Sequence, residues 1–241
     1  MNLIVDTTIN KAIDDKLIAD NKKRESEHKS SGKLSAGMLS FPLQWQVLKL
    51  LGVEPVPFDA YTLRKFKRGR DIEDWLVKEI PGLVEQQKFI EYRGCVGYAD
   101  AIVDTKDYEN KVGVIPHEVK SVTNDKYKWI SKRESPDDGH VLQAAMYAMG
   151  MGADNFAIDY VASDDLRISS FLIPLTGYLK ARVDKIIDDF RKQWDKKEVP
   201  VFEPLYSWQK NKTYSKYPEW QNLDEDEIKA KMIRLDINFP K

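Results

Sequence analysis

The stretch from Gly97 to Lys120 restricts the possible folds more than any other part of the chain. It runs Gly97-Tyr98-Ala99-Asp100-Ala101-Ile102-Val103-Asp104, turns through polar residues, and resumes as Val112-Gly113-Val114-Ile115-Pro116-His117-Glu118-Val119-Lys120. Two short apolar runs interrupted by acids suit neighbouring strands. Leu83 to Tyr92 reads as a strand before them, Arg93-Gly94 as a turn, and residues 105–111 as a hairpin loop. Three strands with short turns predict an antiparallel meander. Gly97, inside the second strand, marks a bulge or a close backbone approach.

Helical spacing flanks this sheet. Residues 9–29 carry Ile9, Ile13, Leu17 and Ile18, and the polar run His28-Lys29-Ser30-Ser31-Gly32 ends that helix. Ser35 is an N-cap candidate for a helix carrying Leu39, Leu43, Val47, Leu50 and Leu51, with Pro42 as a kink or restart and Gly52 as its stop. Residues 59–80 predict a longer helix with Leu63, Phe66, Ile72, Trp75, Leu76 and Ile80 inward. The polar stretch 121–139 reads as a long mobile or substrate-contacting connection. His140 to Met151 reads as a helix, residues 156–161 and 167–173 as strands, and residues 176–197 as an amphipathic helix. From Pro200 onward, prolines interleave with Phe202, Tyr206, Trp208, Tyr214, Tyr217 and Trp220, an extended arm with a short helix near 224–233. The expected organisation is therefore an N-terminal helical segment (1–34), an α/β domain (35–199) and the arm (200–241).

Composition narrows the function classes. Across 241 residues, 32% charged, the formal net charge is only −1, so any nucleic-acid contact must come from a local patch. Cys95 is the only cysteine, which rules out an internal disulfide and any cysteine cluster for zinc or iron–sulfur. No apolar run approaches the ~20 residues of a membrane helix, and the first residues lack a signal-peptide core. A reducing cytoplasm is the expected location, without membrane contact. No Gly-x-x-x-x-Gly-Lys-Ser/Thr loop is present, so ATP hydrolysis is not indicated.

A bare Glu-x-Lys carries little information here, because it also occurs at Glu27-His28-Lys29, Glu109-Asn110-Lys111 and Glu227-Ile228-Lys229. Only Glu118-Val119-Lys120 ends a mostly apolar strand and follows a second strand bearing an acid. Period two puts Glu118 and Lys120 on one face, and Asp100 converges on it if register allows. Two carboxylates and the Val119 carbonyl form a hard oxygen set suited to Mg²⁺ or Mn²⁺. An ion held there would polarise a phosphate and lower the pKa of water, with Lys120 positioned to orient that water or offset charge. A plain Glu118–Lys120 salt bridge is the bland alternative.

Gln143 and Tyr147, spaced i, i+4, share a helix face and offer an amide and a hydroxyl to phosphate or sugar. Tyr147 as a core residue is the competing reading. Glu73 falls on the half-buried side of the 59–80 helix, where a carboxylate either pairs with a cation or binds metal. Arg64, Lys65, Lys67, Arg68 and Arg70 precede it, and Lys126, Lys128, Lys132 and Arg133 lie beyond the strands. These cations could contact phosphates, and Trp129 could stack on an unpaired base. His117, Glu118 and His140 lack the His-Glu-x-x-His spacing of a zinc site. His140 fits better near phosphate or at the helix start.

The ordered set Gly97-x-x-Asp100, Glu118-x-Lys120 and Gln143-x-x-x-Tyr147 resembles the PD-(D/E)XK nucleases of the RecB and Cas4 type, including phage recombination exonucleases, over roughly residues 35–165. The resemblance implies a restriction-endonuclease-like mixed sheet flanked by helices, with Asp100 and Glu118 as metal ligands and Lys120 catalytic. It places Gln143 and Tyr147 toward DNA, and Gly69-x-x-x-Glu73 as a first motif whose acid is either a further metal ligand or a residue supporting the ligands from behind. One Cys cannot hold the iron–sulfur cluster of Cas4 proteins. The expectation is a stand-alone Mg²⁺- or Mn²⁺-dependent deoxyribonuclease, foremost an exonuclease of recombination, repair or replication, of the kind that phages encode. An endonuclease or a non-catalytic DNA-binding accessory would be the rivals, and a single-strand annealing or recombination protein a candidate partner.

Overall fold

The structure, a computed structural model, describes residues 7–27, 32–211, 213 and 215–240. The segment 1–6, the run His28 to Ser31 and Tyr214 lie outside the described residues, and so do the readings placed on them. Six strands form one mixed sheet: β1 (Leu34–Ser35), β2 (Leu83–Tyr92), β3 (Cys95–Asp104), β4 (Val114–Val122), β5 (Asn155–Ala162) and β6 (Ile168–Pro174). Among the described residues, seven α-helices surround it: α1 (Thr8–Glu27), α2 (Leu43–Leu50), α3 (Ala60–Glu79), α4 (Asn124–Arg133), α5 (Asp138–Met151), α6 (Gly177–Asp195) and α7 (Glu225–Arg234).

The expected meander is present. β2 pairs antiparallel with β3 from Leu83↔Val103 to Tyr92↔Cys95, around a turn in which Arg93 and Gly94 both have positive φ. Such a two-residue turn matches the right-handed twist of its strands. β4 then pairs antiparallel with β3, parallel with β5, and β5 antiparallel with β6.

A strand has only two edges, and β2 occupies one edge of β3 along its length. β1 and β4 must therefore share the other. β1 takes Cys95 and Val96, β4 takes Ala101 to Asp104, and the edge between them has no strand partner. That notch holds Gly97 and Asp100.

Two apolar layers cover the sheet. The larger joins Trp45 and Leu48 of α2, Leu142 and Met146 of α5, and Val183 and Ile187 of α6 to Phe156, Ile158 and Tyr160 of β5. The smaller sets Ile72, Leu76 and Val77 of α3, with Ile80 just after it, against Ala101, Val103, Val119 and Val161. The arm after 200 packs on the domain, burying Tyr217, Trp220 and Ile228.

Several sequence readings need correction. The stretch 121–139 is not a long connection, because residues 124–133 form α4, capped by the Thr123 hydroxyl accepting from the Lys126 N–H. Only Tyr127 and Ile130 of α4 are buried, too few apolar positions to register as a periodic pattern. Ser35 belongs to β1 and makes no side-chain cap bond, and Pro42 starts α2 afresh. Phe66 and Trp75, expected inward on α3, are 42% and 38% exposed. β4 starts at Val114, later than expected, and runs past Lys120 to Val122.

Candidate active site

β4 distributes its side chains between two faces. His117 and Val119 point toward α3, while Glu118 and Lys120 point toward α5, as period two requires. The β3–β4 register predicts Glu118 opposite Asp100, one step beyond the last pair, Ala101↔His117. There the ladder stops. The Val119 N–H instead donates to Asp100 Oδ2 at 2.8 Å, so a carboxylate replaces a backbone acceptor. The other Asp100 oxygen accepts from Gln87 Nε2 at 3.1 Å.

β3 also switches faces at this point. Ala99 packs in the larger layer, whereas Ala101 and Val103 pack in the smaller one, although simple alternation would put all three together. Gln87, on the neighbouring strand, has φ +48° within β2. Both irregularities fall beside Asp100, where local distortion re-aims a side chain. Gln87 is the site residue that sequence reasoning missed, and nothing in its local pattern marks it.

Lys120 Nζ donates to Glu118 Oε1, forming an ion pair in which Glu118 is 1% exposed. Glu118 Oε2 is buried without a hydrogen-bond partner. Burial, with Asp100 and Glu73 adding their charges, pushes the Glu118 carboxyl up to about 8. Burial also raises Asp100 and Glu73, with Lys120 opposing it at each. At Lys120 burial works downward, but the charges of Glu118 and Asp100 outweigh it and hold the ammonium protonated. Glu73 comes from α3, on the other face, and is half-buried, with Lys120 and the Ser121 backbone N–H opposing the upward push of burial on its carboxyl. Three carboxylates thus surround one lysine.

This arrangement fits a divalent cation in a specific sense. Among the described residues, no three His, Cys, Asp or Glu side chains are gathered closely enough to enclose an ion. Mg²⁺, however, is usually bound through one or two carboxylates plus water and substrate phosphate oxygens, not in an all-protein cage. An orphaned buried carboxylate oxygen beside a second carboxylate, with excess negative charge, meets that need. A buried acceptor without a partner costs about 1–3 kcal/mol, a cost that a ligand would relieve.

Gln143 lines the approach to the site, and its Nε2 donates to the Tyr147 hydroxyl at 3.1 Å. Tyr147 itself is 2% exposed, which corrects its expected contact with DNA. A Cβ at Gly97 would sit 2.7 Å from Tyr147 Cε1 and 2.8 Å from its hydroxyl, so the missing side chain makes room for that ring. Tyr147 is a packing residue that sets the height of Gly97 and holds Gln143. His140 also faces the approach, its Nδ1 paired with the Tyr160 hydroxyl at 2.8 Å, and burial beside Lys120 lowers its ring to about 4.

Lys120, His140 and Gln143 form one end of a groove of about 1150 Å³. One wall is α4. Its half-exposed Trp129 has the Arg133 guanidinium 3.7 Å and Lys126 Nζ 4.4 Å from the ring centre. The other wall is the C-terminal arm, where Tyr206 and Trp208 lie nearly parallel, at 6°. Arg182 holds Asp138 through two bonds of 2.6 and 2.7 Å, and the Tyr206 hydroxyl donates to the same carboxylate, pinning the arm. Sequence reading placed the arm on the domain but not beside the site. Its exposed Trp208 was the available signal.

The cations of α3 are mostly engaged elsewhere. Arg64 pairs with Asp14 of α1 at 2.7 Å, Lys67 with Asp71, and Lys65 covers Tyr61. Arg68 lines the seam with α1, which corrects the expectation of a phosphate-facing cluster. Arg70 and Lys128 are exposed, and neither makes an ion pair among the described residues.

No protein-family model and no curated protein matches the sequence. Solved structures do match in three dimensions. An alkaline exonuclease, LHK-Exo from Laribacter hongkongensis, aligns with TM-score 0.50 and 13% identity over 76% of this chain and 93% of that one. The protein SSO0001 aligns with TM-score 0.50 and 18% identity, over 87% and 94%. A phage-related exonuclease from Haemophilus somnus 129PT aligns with TM-score 0.48 and 14% identity, over 71% and 96%. At these identities the likeness is one of fold, and the chain has the α/β fold of PD-(D/E)XK nucleases, with a mixed six-stranded sheet between helices.

Proposed function

We propose that the protein is a Mg²⁺- or Mn²⁺-dependent deoxyribonuclease acting as an exonuclease in recombination, repair or replication. The observation that carries this reading is the convergence of Asp100, Glu118 and Lys120 at the β3–β4 notch, with Glu118 Oε2 unpartnered, beside a groove walled by cations and tryptophans. The alkaline exonuclease activity of a protein with this fold supports the same class.

The chain's own residues have separable tasks. Asp100, fixed by the Val119 N–H and Gln87, and Glu118 would hold the cation with the Val119 carbonyl, with Glu73 behind them. The cation supplies polarisation of the scissile phosphate and a lowered pKa for water. Lys120, kept protonated by its acidic neighbours, donates toward the reacting phosphate or water and offsets developing charge. Trp129 stacks on an unpaired base, while Lys126, Lys128, Arg133 and Arg70 meet phosphates. Neutral His140 and Gln143 offer hydrogen bonds to sugar or phosphate at the near end of the groove. A single-strand annealing protein, which would receive the strand exposed by digestion, is the fitting partner class.

The test is digestion of end-labelled linear DNA with Mn²⁺, each end blocked in turn, beside a circular substrate. Release of label from one unblocked end, no cutting of circles, and no release of label by Lys120→Ala are expected. Equal behaviour of wild type and Lys120→Ala would refute the assignment, and cutting of circles would move it to an endonuclease.

A further inference from the structure

The face of the sheet away from the notch carries a second cavity that the nuclease chemistry does not use. It holds about 710 Å³ between α3, the 105–110 loop, β5 and the edge strand β6. That volume lies within the usual range for small-molecule sites, which are mostly apolar with a few placed polar groups. Its apolar walls include Trp75, Ile80, Ile115 and Leu172. α3 covers β3 and β4 but stops short of β6, so Ile168 and Leu172 remain 44% and 39% exposed beside it.

Two buried polar groups stand in this wall. His117, 5% exposed, pairs through Nδ1 with Asp159 Oδ2 at 2.7 Å, and Asp159 is 3% exposed. A carboxylate only accepts, so Nδ1 carries the proton in that bond, and in the neutral ring Nε2 is a lone-pair acceptor. Nε2 is buried and has no hydrogen-bond partner. His117 itself lines the cavity. The charges around it all have one sign, with Asp159 inside, exposed Glu79 and Glu109 at the rim, and no Lys or Arg among the lining residues. A polyanion is disfavoured here.

We propose that this cavity is a binding site for a small amphipathic amine, with an apolar or aromatic body against Trp75 and Ile80 and an N–H donated to His117 Nε2. The positive charge is balanced by Asp159 and the two rim glutamates. The donor relieves the unmet acceptor, and the apolar body covers the strip of β6 that α3 leaves open.

Tryptamine is the probe, with indole-3-propionate as its anionic counterpart, titrated calorimetrically into the full-length protein. Saturable tryptamine binding is expected, with the propionate at least about tenfold weaker. A shift of the His117 Nε2 resonance should accompany binding. His117→Ala threatens folding by leaving Asp159 unpaired, so the rim variant Leu172→Lys, placing a cation at the mouth, carries the test. It should weaken tryptamine at least about tenfold, and a single-stranded oligonucleotide should not displace the amine. No saturable heat up to about 10 mM, equal affinity for the propionate, or an unmoved Nε2 signal would overturn the proposal. Displacement by the oligonucleotide would do the same by placing the amine in the nuclease groove. So would a multimer that Leu172→Lys dissociates, since the face would then belong to a subunit contact.

Discussion

The two concavities of this protein lie on opposite faces of the same strand, and four consecutive residues of β4 supply the chemistry of both. Glu118 and Lys120 serve the groove under α4, α5 and the arm, while His117 faces the cavity under α3. The groove is rich in cations and aromatic rings, with Lys126 and Arg133 flanking Trp129. The cavity has acids and apolar walls without a lysine or arginine. With a net charge of −1, the chain carries no overall field, and the cations beside the groove are a local patch.

The sharpest way to break this contrast is to remove chemistry from one face and watch the other. Asp100→Asn or Lys120→Ala should lower the rate of Mn²⁺-dependent digestion by about 10³-fold or more, since each removes charge placed for the transition state. Trp75→Ala, on the far face, should leave that rate within about twofold, as expected of a surface change away from the site. If both lose activity alike, the faces are not functionally separate.

Next in size is the groove wall. Trp129→Ala combined with Arg133→Ala should weaken single-stranded oligonucleotide binding by about 10- to 100-fold and flatten its salt dependence, measured by fluorescence anisotropy. An unchanged salt slope would move the DNA path away from α4.

Gly97→Ala probes the packing beneath the notch. The added methyl meets Tyr147 at 2.7 Å, so a loss of about 1–3 kcal/mol in urea unfolding is expected. Adding Tyr147→Phe should recover part of it by removing the hydroxyl 2.8 Å away. No recovery would mean that the ring, not the hydroxyl, sets the clash.

The smallest effect is on stability against pH. Glu118 has a raised pKa, about 8 against 4.5, so the folded state keeps a proton that the unfolded chain releases in that window. Its contribution is intact below pH 4.5 and is lost as pH rises toward 8. Glu118→Gln should remove that slope and gain about 1–3 kcal/mol at pH 8 relative to wild type, while abolishing digestion. A wild-type slope that survives in Glu118→Gln would assign the titration to Asp100 or Glu73.

Legibility from sequence followed the range of the interaction. The meander was readable because alternation and the Arg93-Gly94 turn are local, and the long helices because apolar spacing repeats several times. α4 was not, since it buries only two residues and its cap resembles any polar loop. Phe66 and Trp75 misled because periodicity gives a face but not whether anything covers it. The grouping of Asp100, Glu118 and Lys120 could be anticipated from strand parity. The partners that fix the group could not, because the Gln87 and Ser121 contacts depend on register and on which helix crosses which strand.

The sequence alone determined that acids and a lysine would meet on neighbouring strands, because parity and short turns leave few alternatives. Only the tertiary structure decided three other matters. It opened β3 between β1 and β4 at Asp100, it brought the C-terminal arm to the groove through Arg182, Asp138 and Tyr206, and it kept α3 short of β6. Each depends on contacts between residues far apart in the chain, whose geometry no local pattern encodes.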